Sequence, residues 1–162
     1  MSEHDITFDA MGSHVRLLIG EPGPGLAPAA EAAEEARRFI HAYDAALSRF
    51  KPGSELCALN RDERERVPAS PLLRQAVSAG LAAAERSGGL VDPTLLGAIE
   101  GAGYTASRAG MSGVPLAEAL AQAPPRRPAS PGPDRSWRCF EVDDAAAEIV
   151  RPAGLGFDTG GT

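Results

Sequence analysis

A chain of 162 residues with 43% hydrophobic residues is long enough to bury a real core, as one domain or as a two-part piece of a larger one. A formal net charge of -6 with scattered arginines excludes a nucleic-acid backbone as partner, because counterion release needs clustered Lys and Arg. Cys57 and Cys139 are too few and too far apart for a disulfide framework or a zinc site, and no apolar run of about 18 residues offers a membrane span.

The polar, acidic start MSEHDITF has neither a basic segment nor an apolar stretch, so the reading is a soluble cytoplasmic protein with no membrane anchor in this chain. Residues Ile6 to Met11 and His14 to Ile19 have strand character and are separated by Gly12 and Ser13, which predicts two short strands or one bent strand with Met11 and Gly12 at the bend. Glu21 to Pro28 is a breaker-rich surface loop. From Ala29 to Leu47 the positions Ala33, Ala36, Phe39, Ile40, Tyr43 and Leu47 recur at three and four, which predicts a helix.

Ser48, Arg49, Phe50, Lys51, Pro52 and Gly53 form a turn, after which Ser54 caps a short helical segment SELCALN ending at Asn60. Ser70 before Pro71 is a helix start, with Leu72, Leu73, Ala76, Val77, Gly80, Leu81 and Ala84 as its apolar face and Gly88 and Gly89 as its stop. Leu90, Val91, Asp92, Pro93 and Thr94 lead in extended conformation to another short helix. Residues 123–133, rich in Pro and Arg, read as an exposed linker. Trp137 to Val142 and Ala147 to Val150 predict a hairpin, and Leu155 to Phe157 a third strand that delivers Asp158 into the glycine turn Gly160–Gly161.

His4, His14 and His41 lack metal-ligand spacing, and no Cys-His or Ser-His-Asp pattern accompanies them. The string FDTGGT resembles the Asp-Thr-Gly turn of aspartic proteases, but that chemistry needs a second paired acid and a buttressing chain after the turn. Four loops carry glycine beside a polar or aromatic residue: Met11–Gly12, Phe50 to Asn60, Gly88 to Thr94 and Asp158 to Gly161. Singly they are ordinary turns. Together they are suited to line one pocket for a large planar phosphorylated ligand, with a ring for stacking and glycine backbone for phosphates.

The order and wording of FDAMGSHV, LSRFKPGSELCALN, SGGLVDPTLLGAIEGAGY and LGFDTGG resemble the FAD:protein FMN transferases, or ApbE-like flavin transferases, over essentially the whole chain. The resemblance implies an α+β, T-fold-like domain with helices packed on antiparallel sheet, and FAD as the substrate. FMN would pass to a Thr or Ser hydroxyl of an acceptor protein and AMP would leave. It implies FAD contacts from Met11, Leu90, Val91, Asp92 and Asp158, a stacking ring at Phe50, a hydrogen bond from Asn60, and Mg²⁺ ligation by the Gly161 backbone carbonyl. The family continues after the double glycine into a lysine-bearing helix and a later acidic and hydroxyl pair for the metal, and the residues that would catalyse are expected beyond Thr162. Residues 1–162 are therefore expected to be the N-terminal part of one such domain, truncated and by itself inactive. The alternatives are a non-catalytic FAD-binding module or a structural fragment that needs a partner chain.

Overall fold

The computed structural model describes residues 3–108, 110–125 and 128–159. It is an α+β arrangement with two antiparallel sheets, β1-β2 and β3-β5-β4, and helices against them. Gly161, expected to ligate Mg²⁺ through its backbone carbonyl, lies outside the described residues.

Strands β1 (His4–Ala10) and β2 (Ser13–Ile19) pair from His4↔Ile19 to Ala10↔Ser13, leaving Met11 and Gly12 as a two-residue turn. Both turn residues have positive φ, 53° and 70°, the primed-turn geometry whose twist suits a hairpin. Alternation turns Ile6, Phe8, Val15 and Leu17 toward helix α1 (Ala29–Leu47), where Phe8 meets the His41 ring at 5.2 Å. The helix runs over the predicted span, but its expected apolar face is only partly covered: Ala33 and Leu47 are buried, whereas Phe39 is 61% exposed and leans on Tyr43.

Helix α2 (Glu55–Arg61) starts at Ser54, whose hydroxyl accepts from the Cys57 amide at 3.1 Å. Helix α3 (Pro71–Arg86) starts in the same way at Ser70, with Pro71 in its first turn, and the Glu55 carboxylate accepts from both the Ser70 amide and hydroxyl. One cap thus anchors the other. Gly88 and Gly89 stop α3 with φ of 65° and 90°, and the Gly89 amide donates back to the Ala84 carbonyl at 2.8 Å. Helices α4 (Leu96–Gly101) and α5 (Leu116–Gln122) follow, α5 without a sequence signal that had singled it out.

The C-terminal sheet departs from expectation. Residues Ser136–Cys139 form a 3₁₀ turn, so the first strand of the predicted hairpin shortens to β4 (Glu141–Asp143), facing β5 (Glu148–Val150). The third strand is β3 (Arg66–Pro68), paired antiparallel with β5; as an edge strand it tolerates proline. Leu155 to Phe157 is not a strand, because its backbone groups are taken elsewhere. The Leu155 carbonyl accepts from Arg151 Nη1 at 2.9 Å, and both Phe157 backbone groups bond to the Asn60 side chain.

The core joins Leu47, Leu56, Leu59, Val67, Leu73, Val77, Phe140, Ile149 and Phe157, with the Phe140 and Phe157 rings 5.2 Å apart. Arg151 lies buried beside it, bonded to no carboxylate among the described residues; its guanidinium donates to the carbonyls of Leu59, Asp62, Pro152 and Leu155. Burial lowers its pKa below the ordinary arginine value. Its role is to tie two segments of backbone together, the end of α2 and residues 152–155, satisfying carbonyls that no ladder reaches.

Candidate functional site

The apolar segment ending at Phe157 sets the position of Asp158. With Phe157 fully buried and clamped by Asn60, the Asp158 amide donates to the Pro93 carbonyl at 2.8 Å, which fixes the acid beside the loop that follows α3. Arg49, in the turn after α1, meets it there: Nε lies 3.2 Å from Asp158 Oδ2, and the two side chains are only 8% and 11% exposed. The Ser48 hydroxyl supports this turn by accepting from the Phe50 amide, and the Cys57 thiol faces the Ser48 and Arg49 carbonyls.

Phe50 and Tyr104 sit with their rings 5.3 Å apart and tilted by 59°, and the Arg49 guanidinium lies against both, 4.2 and 4.3 Å from their centroids. Such cation-ring contacts gain strength when desolvated. These groups, with Met11, Gly12, Asp44, Lys51, Arg108 and Thr159, line a cleft of about 860 Å³. That volume is in the range of cofactor and nucleotide sites. At its rim Met11 is held with φ of 53°, a conformation uncommon for a side chain of its size, and is 41% exposed.

A smaller cleft of about 220 Å³ also reaches Asp158, formed by Tyr43, the small residues Ala76, Ala79, Gly80 and Ala83 of α3, and Val91, Asp92 and Pro93. The two clefts share Ile99, Asp158 and Thr159. Asp92 accepts from the amide and hydroxyl of Thr94 at 2.9 and 2.6 Å through Oδ1, which folds the loop into a local turn.

Met11, Phe50 and Asp158 are therefore brought together in the larger cleft, and Val91, Asp92 and Asp158 in the smaller one. Leu90 is 58% exposed and lines neither, while Asn60 stands behind Asp158 and spends its amide on the Phe157 backbone. Sequence reasoning did not single out Arg49, Tyr104 or Arg108. Arg49 adjoins Phe50 in the same turn, but nothing in its neighbours signals a guanidinium turned inward; Tyr104, one of only two tyrosines, was the one readable hint.

Among the described residues no three His, Cys, Asp or Glu side chains converge as a metal site, and no helix is long and apolar enough to cross a membrane.

The chain is similar in structure to the ApbE protein of Thermotoga maritima (TM-score 0.69, 19% identity, covering 97% of this chain and 47% of that one). It is similar also to the flavinyl transferase ApbE of Pseudomonas stutzeri in its apo form (0.69, 19%, 98% and 46%) and to the flavin transferase ApbE of Vibrio cholerae (0.66, 16%, 98% and 48%). It thus spans about half the length of these structures, and at such identities the likeness speaks for the fold. No curated protein sequence matches the chain significantly. The sequence model of the ApbE family matches residues 11–162, and on that match over nearly its whole length the chain belongs to the ApbE family.

Proposed function

We propose that the protein is an FAD:protein FMN transferase. The observation that carries this reading is the larger cleft, in which a chain of the ApbE family gathers Met11, Phe50 and Asp158 beside a second ring, Tyr104. Two tilted rings and a buried arginine suit a planar, anionic ligand, and flavin transferases stand among the chain's structural neighbours.

In the reaction, a Ser or Thr hydroxyl oxygen of the acceptor protein bonds to the flavin-side phosphorus of FAD. The bridging P–O bond of the diphosphate breaks, AMP leaves with the bridging oxygen, and the hydroxyl proton passes to a base. Within this reading Phe50 stacks on the flavin, Met11 shapes the rim, and Asp158 is a polar contact held in place by Arg49. Leu90, Val91 and Asp92 belong to the nucleotide side. Asn60 contributes by fixing Phe157, and thereby Asp158.

The family resemblance also implies Mg²⁺, which would balance charge on the diphosphate. The described residues alone do not compose its ligand set. The chain spans about half the length of the flavin transferases it resembles in structure, and the transfer is proposed for the whole protein.

Incubation of the full-length protein with FAD, Mg²⁺ and an acceptor protein should yield protein-bound flavin that survives denaturation, together with AMP. AMP release no greater than in a control without metal would sink the proposal.

A further inference from the structure

The wall of the larger cleft carries three cations, Arg49, Lys51 and Arg108, and they are not equally compensated. Lys51 Nζ lies 2.5 Å from Asp44 Oδ2 and is accounted for. Arg49 Nε lies 3.2 Å from Asp158 Oδ2, and among the described residues the Arg49 Nη2 is buried with no hydrogen-bond partner. Arg108 meets no carboxylate among the described residues; its contact is the Tyr104 ring, 5.5 Å from the centroid.

Arg49 lies 4.3 Å from the centroid of that same ring. Two guanidinium groups drawn to one phenol repel each other, and the pairing becomes favourable once an anion is shared between them. A buried donor without an acceptor calls for an explanation, since native structures leave few such groups. Arginine's planar fork matches phosphoryl oxygens better than any other side chain does.

We propose that Arg49 and Arg108 form an anion subsite at the Tyr104 end of the cleft, built for a phosphoryl or diphosphate group. Arg49 Nη2 is the interior donor and Arg108 the outer one. Because Nη2 is screened from water and the Arg49 guanidinium lies against Tyr104, the Tyr104 ring turns outward to admit the anion; it is already exposed. The inference rests on the flavin-nucleotide reading only for the physiological source of the anion, so its test uses a probe without flavin.

The full-length protein is titrated calorimetrically with inorganic pyrophosphate at low ionic strength, as wild type, Arg49→Met and Arg108→Met. Wild type should bind, and each variant should bind roughly tenfold or more weakly, the usual effect of losing a charge-assisted contact. Arg108→Met should keep the wild-type melting temperature, and it carries the test alone if Arg49→Met does not fold. Riboflavin, which has no phosphate, should bind wild type and Arg108→Met alike. Failure of wild type to bind pyrophosphate, or equal binding by Arg108→Met, overturns the subsite. Arginine-dependent pyrophosphate binding in a protein that ignores riboflavin and FAD would support the subsite and remove the flavin reading instead.

Discussion

Asn60 and Phe157, 97 residues apart, exchange a reciprocal pair of hydrogen bonds: Asn60 Nδ2 donates to the Phe157 carbonyl and the Phe157 amide donates to Asn60 Oδ1, each at 2.8 Å. A side-chain amide thus imitates a strand partner for one residue, and the next residue is Asp158. Asn60→Asp turns the donor into an acceptor facing a carbonyl. It should destabilise the fold at neutral pH by about 2–3 kcal/mol, the cost of a buried polar group left unpaired. The deficit relative to wild type should narrow toward acid pH, where a protonated carboxyl regains a donor. Urea unfolding of both proteins across pH checks this, and a deficit independent of pH would argue against the clamp.

Gly80 on α3 stands where a Cβ would lie 2.8 Å from the Phe157 ring and 3.5 Å from the Pro93 side chain. Phe157 is fully buried against Phe140, so the ring cannot easily withdraw. Gly80→Ala should therefore lose stability on balance, the overpacking cost of about 1–3 kcal/mol exceeding the roughly 1 kcal/mol helix-propensity gain. Thermal unfolding reads the sign. A more stable variant would mean that the ring does move.

Phe50 belongs to a turn and is only half-buried, with its ring against Arg49 and Tyr104. Phe50→Ala in the full-length protein should weaken FAD binding by about 0.5–1.5 kcal/mol beyond the lost contact area, as for an aromatic pair. A fluorescence titration with FAD measures it. Unchanged binding with a lowered melting temperature would identify Phe50 as a packing residue.

Hydrogen bonds from the Arg64 side chain and amide hold the Asp62 carboxyl down to about 2, from an ordinary 3.8. A folded-state pKa below the unfolded one contributes stability that is complete above pH 3.8 and is lost as pH falls through about 2. Asp62→Asn should be less stable than wild type at neutral pH and have a flatter acid limb, the two proteins converging as pH falls through that window. Urea midpoints between pH 5 and pH 2 decide, on an approximate scale set by the same linkage.

What the sequence determined by itself was whatever depends on neighbours a few residues away. The bend at Met11–Gly12, the caps at Ser54 and Ser70, the helices from Ala29 and Pro71, and the Gly88–Gly89 stop all follow from local periodicity, φ preference and capping. The same local wording, FDAMGSHV through LGFDTGG, carried the family resemblance, because a loop that approaches a ligand needs particular residues at particular steps. Only the tertiary structure decided which distant backbone groups would lack partners and which side chains would meet them. Leu155 to Phe157 has the composition of a strand, yet Asn60 and Arg151 reach its amides and carbonyls first, and β5 pairs with Arg66–Pro68 instead. Arg49 is likewise an ordinary charged turn residue in sequence; its burial between Phe50, Tyr104 and Asp158 arises because three segments close over it, and a long-range closure leaves no periodic trace along the chain.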